Sequence, residues 1–166
     1  MSLWIVATHM FGLFAAFCLN AATLLEVKEP AKIAQAFSSE ASLRLVNVWA
    51  TWCVPCVEEI SDLRAIREAF GADVSMIGVS LDDMIPGDRA ATRRKVESFL
   101  DQKKVSYRNI YYSGNSDKLA DALRFNGEIP ITIIYGRDGR ELWRKQGKID
   151  RQQTIAEIRK LLRRNR

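Results

Sequence analysis

Metal-binding side chains are scarce in this chain. Its 166 residues include one histidine, His9, and three cysteines, Cys18, Cys53 and Cys56. A structural zinc takes four ligands. Beyond the Cys53/Cys56 pair only Cys18 and His9 remain, and both lie in an apolar stretch, so neither a metal nor any other cofactor is expected. A long basic run with interleaved aromatics is also missing and the net charge is a mild +5, which leaves nucleic-acid binding without support. No internal repeat or low-complexity tract occurs. What is present is a chain of ordinary length for one domain, 48% hydrophobic and able to build a core.

Charge is absent altogether from residues 2–25, which contain no Asp, Glu, Lys or Arg. The stretch is long enough to span a bilayer. It reads as an export signal kept as a membrane anchor, as a cleaved signal peptide, or as a buried element of the fold. An export segment is expected to start with a positive charge, and this one does not. Leu19-Asn20-Ala21 is a poor cleavage site, and Phe17 before Cys18 argues against lipoprotein processing. We assign 1–25 as signal peptide or membrane anchor and 26–166 as the folded domain. Cys18 is then a small apolar residue, and His9 ligates nothing.

Residues 45–60 organise the rest. Leu45-Val46-Asn47-Val48-Trp49 is a run rich in β-formers, a buried strand. After Thr51 the period changes: Val57, Ile60, Leu63, Ile66 and Phe70 recur every three or four residues, as on one helix face, and Gly71 supplies a stop. Cys53 and Cys56 therefore sit where a strand runs into a helix. The unpaired N–H groups and the dipole of a first helical turn favour thiolate over thiol. Cys53 is expected to be the nucleophile, and Cys56, one turn further in, to resolve a mixed disulfide on it. Pro55 is tolerated in a first turn. A purely structural bridge is disfavoured, because so short a loop removes little unfolded-state entropy.

The remaining pattern is alternating. Residues 31–37 suggest a short helix after Pro30. Residues 74–81 form a second buried strand, 84–90 a loop, and 92–104 an amphipathic helix with Arg93, Arg94 and Lys95 on its solvated face. Residues 107–112 form a short strand whose tyrosines pack, and Asn115 or Ser116 caps the next helix. Pro130 heads a β-rich run, as at a strand start. Arg137-Asp138-Gly139-Arg140 turns a hairpin into an edge strand over 141–147, and Asp150 caps a last helix with Ile155, Ile158, Leu161 and Leu162 buried. This order implies an α/β fold, a mixed central sheet flanked by helices on both faces.

Trp49-Ala50-Thr51-Trp52-Cys53-Val54-Pro55-Cys56 resembles the thioredoxin active-site motif, and the variant is similar to the TlpA/ResA/CcmG-like branch of extracytoplasmic thiol–disulfide oxidoreductases. Asn47 stands where thioredoxin has a buried Asp, and Glu59, three residues after Cys56, matches an acidic residue of that branch. The branch usually has Pro where this chain has Ser61, so the usual helix kink is not expected. The resemblance covers about residues 43–164 and implies a thioredoxin-like fold. It also implies a cis peptide between Ile129 and Pro130, facing the cysteines. That turn leaves the residue 129 backbone free to pair with an extended substrate.

Cys53, Cys56 and Glu59 are thus the expected catalytic residues, with Glu59 handling the Cys56 proton from one turn below unless it is merely a surface carboxylate. Trp52, Pro55, Ile129 and Pro130 are the expected substrate-binding residues. Trp52 shields the site and Trp49 packs beneath it. Glu128 either tunes partner choice or is simply solvated. Expected partners are disulfide-containing proteins and a redox protein that re-reduces the dithiol, with a membrane reached through residues 1–25 and a periplasmic or extracytoplasmic location. A role in cytochrome maturation follows only by analogy. A dithiol oxidase or isomerase and a non-catalytic adaptor are the other readings. A peroxidase would need a peroxide pocket that nothing outside the motif suggests.

Overall fold

A computed structural model gives the fold and describes residues 24–164. The segment expected to be a signal or anchor therefore lies outside the described residues, apart from Leu24 and Leu25. The strands are β1 (Leu24–Val27), β2 (Leu43–Trp49), β3 (Val74–Ser80), β4 (Arg108–Tyr112), β5 (Ile131–Gly136) and β6 (Glu141–Gln146). The helices are α1 (Val54–Phe70), α2 (Arg89–Gln102), α3 (Ser116–Leu123) and α4 (Arg151–Arg164). None of them is long and apolar enough to cross a membrane.

The strands form one sheet in the order β1-β4-β3-β2-β5-β6. β1, β4, β3 and β2 run parallel, and β5 and β6 add antiparallel pairs. The mixed α/β sheet expected from the element order is present, and it is the thioredoxin-like fold that the resemblance implied. Its central strands are apolar on both faces because both faces are covered. Strand alternation divides the side chains: Leu43, Leu45 and Trp49 meet the apolar stripes of α1, α2 and α4, whereas Val46 and Val48 meet Leu119 of α3 and the turns around Ile33. Asn47 shares its parity with Leu45 and Trp49. It is thereby turned under α1, beside Thr132, its register partner on β5.

β1 spans Leu24–Val27. It pairs with β4 from Leu24 onward, and its Glu26 accepts from the Ser113 hydroxyl at 2.8 Å. Residues 31–37 form two short 3-10 turns, Pro30–Lys32 and Ala34–Ala36, instead of one helix. α2 starts at Arg89, three residues early, because the Asp88 side chain caps it by accepting from the Ala90 and Ala91 N–H groups. Arg93 is not simply solvated: it donates to the Leu24 carbonyl and to Glu26, tying α2 to β1. The caps expected at Asn115 and Asp150 are formed, each accepting from a backbone N–H three residues on.

Candidate active site

The two cysteines lie at the β2–α1 junction. Cys53 is the N-cap of α1, in extended conformation, and its Sγ accepts from the Cys56 N–H at 3.3 Å. Cys53 and Cys56 are joined as a disulfide with their Cα atoms 5.2 Å apart. Cys53 retains 6% exposure and Cys56 none, while Trp52 beside them is 45% exposed. Val54 and Pro55 are exposed too. The outer sulfur thus keeps a little exposure beside an exposed apolar rim, and the inner one keeps none. Trp49 is fully buried against the ring of Phe99 on α2, with centroids 5.3 Å apart. α1 continues unbroken through Ser61.

The loop that presents Cys53 is pinned from β3. Asp82 is buried just past that strand. It accepts from the Thr51 N–H at 3.1 and 3.2 Å, from the Thr51 hydroxyl, and from the Ser80 hydroxyl at 2.8 Å. The Leu81 N–H donates to the Trp49 carbonyl at 2.9 Å. A second wall comes from the turn before β5. The Ile129–Pro130 bond is cis, as the resemblance implied, and the Ile129 carbonyl lies 3.7 Å from Cys53 Sγ. Pro130 is buried and Ile129 half-buried. The Pro130 carbonyl accepts from the Gly147 N–H at 2.9 Å. The Glu128 side chain is exposed, and its backbone carbonyl accepts from Gln146 Nε2.

Glu59 forms the floor. It is fully buried, so the surface-carboxylate reading falls. Its Oε1 accepts from Asn47 Nδ2 at 2.8 Å and its Oε2 from the Ile149 N–H at 2.9 Å. Burial pushes its carboxyl up from 4.5 to about 7, against the lowering pull of those two donors. A group that exchanges protons near neutrality therefore sits one turn from the inner cysteine. Among the described residues no group of three His, Cys, Asp or Glu side chains is arranged to hold a metal ion.

A sequence profile of the AhpC/TSA family matches residues 17–141. The chain belongs to the AhpC/TSA family. A solved thioredoxin-related protein from Neisseria meningitidis serogroup B is 26% identical over 76% of this chain and 88% of its own, with a TM-score of 0.62. StoA from Bacillus subtilis is 18% identical over 70% and 82%, with a TM-score of 0.57. A putative thiol:disulfide interchange protein DsbE from Chlorobium tepidum is 19% identical over 75% and 82%, with a TM-score of 0.59. At such identities the last two show the fold alone. This AhpC/TSA family member is a thioredoxin-like thiol–disulfide oxidoreductase, similar to the TlpA/ResA/CcmG branch.

Sequence reasoning missed Asp82, Thr132 and Ile149. Thr132 had a readable signal: it is the single polar residue in the run 129–134, as Asn47 is in 45–49. Asp82 stands in a short polar stretch after a strand, which reads as an ordinary turn, and Ile149 acts through its backbone, which carries no signal of type.

Proposed function

We propose that this oxidoreductase works outside the cytoplasm and reduces disulfides in partner proteins through Cys53 and Cys56, with Glu59 receiving the Cys56 proton. The observation that carries the reading is the graded placement of the sulfurs: Cys53 accepting from the Cys56 N–H and set beside the Ile129 carbonyl, Cys56 fully buried one turn from a carboxyl that titrates near neutrality. The apolar residues 2–25 support export. So does the likeness to a secreted thiol–disulfide isomerase from Corynebacterium glutamicum, 20% identical with a TM-score of 0.61.

The Cys53 thiolate attacks one sulfur of a partner cystine. The partner S–S bond breaks, and its second sulfur leaves as a thiolate that takes up a proton. The Cys56 thiol passes its proton to Glu59, directly or through one water. The Cys56 thiolate then attacks Cys53 Sγ, releasing the first partner sulfur and forming the Cys53–Cys56 bridge. Two electrons have moved to the partner, and a second dithiol protein restores them. Trp52 and Pro55 cover the partner's apolar flanks, while the cis bond before the buried Pro130 leaves the Ile129 backbone to pair with its chain.

Replacing Cys56 with Ser should leave the partner trapped on Cys53 as a mixed disulfide, visible on non-reducing gels. A chain with both cysteines replaced that captures the same partners would mark an adaptor. Equilibration in defined thiol buffers gives the direction. A reduction potential near or below that of thioredoxin, roughly −270 mV, supports a reductase, and one toward about −120 mV supports the oxidase reading. Glu59→Gln should raise the pH needed for the resolving step; an unchanged pH–rate profile removes Glu59 from it.

A further inference from the structure

One buried polar atom in the site has no partner. Asn47 is buried on β2, and both of its N–H groups are used: Nδ2 donates to Glu59 Oε1 at 2.8 Å and to Thr132 Oγ1 at 3.1 Å. Its Oδ1 is buried with no hydrogen-bond partner among the described residues. Buried polar groups are nearly always paired, so an orphan asks for an explanation.

The donors around Glu59 suit only the ionised carboxylate. Oε1 faces an amide N–H and Oε2 faces the Ile149 N–H. A carboxylic acid needs an acceptor opposite its O–H. The Ile149 N–H is backbone and can only donate. Asn47 is different: half a turn of its terminal amide exchanges Nδ2 for Oδ1 at the same place. The Thr132 hydroxyl accepts or donates with equal ease, so it follows the exchange.

We propose that Asn47 is the positioning residue for the proton on Glu59: its side-chain amide turns over when the carboxyl is protonated, so that Oδ1 accepts from Glu59 and from the Thr132 hydroxyl. The orphan Oδ1 is then the acceptor held in reserve for the neutral state. The Ile149 N–H stays on Oε2 in both states and fixes which oxygen carries the proton, namely Oε1. This deepens the reading of Glu59 as the proton acceptor for Cys56 and rests on it. No bond other than O–H is made or broken, and the proton is the one Cys56 gives up.

The charged and titratable groups facing Glu59 do not supply that acceptor. Asp62 on α1 raises its proton affinity, and Lys148, in the turn between β6 and α4, lowers it. Lys148 is itself engaged with Glu58 at 2.9 Å. Tyr107, in the segment before β4, feels the Glu59 charge, but its buried hydroxyl bonds to nothing among the described residues. Cys56, one turn up α1, is in the bridge and does not titrate there.

The test is NMR on the full chain in the bridged form, following the Glu59 carboxyl carbon and the Asn47 side-chain amide across neutral pH. The two should titrate with one midpoint. The contact between the Asn47 Nδ2 protons and the Thr132 side chain should be present on the alkaline side and lost on the acid side. Glu59→Gln, whose amide mimics the protonated acid, should hold Asn47 in its acid-side state at every pH. Asn47→Leu supports neither form and should move the Glu59 midpoint upward, because the carboxylate loses more than the acid. An Asn47 amide that keeps its Thr132 contact while Glu59 titrates overturns the proposal, as does Glu59→Gln with the alkaline signature or Asn47→Leu with an unmoved midpoint. These readouts need no turnover. If Glu59→Gln leaves the pH–rate profile of resolution unchanged while the Asn47 amide of the parent chain still turns with pH, the catalytic role of Glu59 fails and the amide motion stands.

Discussion

Glu59 carries a cost that depends on pH. Its folded pKa of about 7 lies above its ordinary 4.5, so between those values the native chain holds a proton that the unfolded chain has lost. Stability therefore falls as pH rises through that window and levels off above it. The shift corresponds to about 3 kcal/mol at most. Glu59→Gln should remove this slope: its stability relative to the parent should rise by up to about 3 kcal/mol on passing from pH 4.5 to above 7. Urea unfolding of the bridged forms at the two ends checks it, and parallel curves would mean that Glu59 titrates normally in the fold. The cysteine pair was legible in the sequence, because its spacing and its place at a strand–helix junction are local. The burial of Glu59 was not. A surface carboxylate fits the same spacing, and the choice is made by Asn47 and by a backbone N–H on another element.

At the scale of elements, the link that matters is between the β2–α1 loop and the end of β3. Asp82 gathers two donors from Thr51 and one from Ser80. Asp82→Ala leaves those groups without their charged acceptor and should cost about 2–3 kcal/mol, with a parallel change in the rate at which Cys53 reacts with a small disulfide. Asp82→Asn keeps the shape and should lose less. Denaturant midpoints and exchange rates on the same samples decide it; an unaltered Cys53 rate in a destabilised Asp82→Ala would confine Asp82 to stability. β2, β3, α1 and α4 could be read from period alone because each is long and regular. β1 could not: it is four residues long, its first half belongs to an apolar run, and what makes it a strand is its pairing with β4 and its tie to Arg93. Arg93→Ala should accordingly speed amide exchange in 24–27 while shifting the global midpoint little, since such exposed ion pairs contribute at most about 1 kcal/mol. Equal exchange in the two proteins would show β1 held by the sheet alone.

Taken whole, the molecule is a sheet with unequal cover, α1, α2 and α4 on one face and α3 with short turns on the other. That much follows from counting apolar stripes. The assembly of the site does not, because its parts are far apart in sequence: Asn47 on β2, Thr132 on β5, and a turn in which Gly147 holds Pro130 and Ile149 holds Glu59. This turn gives the chain a history as well as a shape. Glu59 and the Ile149 N–H are ninety positions apart. A polypeptide that emerges N-terminus first, from a ribosome or through a translocation pore, therefore displays both thiols long before the floor beneath them exists. During that interval Cys56 is as open to oxidants and foreign thiols as Cys53. The difference between an outer and an inner sulfur is acquired only when the last turn closes, so alkylation of chains halted before residue 147 should label the two cysteines alike, and alkylation of the finished, reduced protein should favour Cys53.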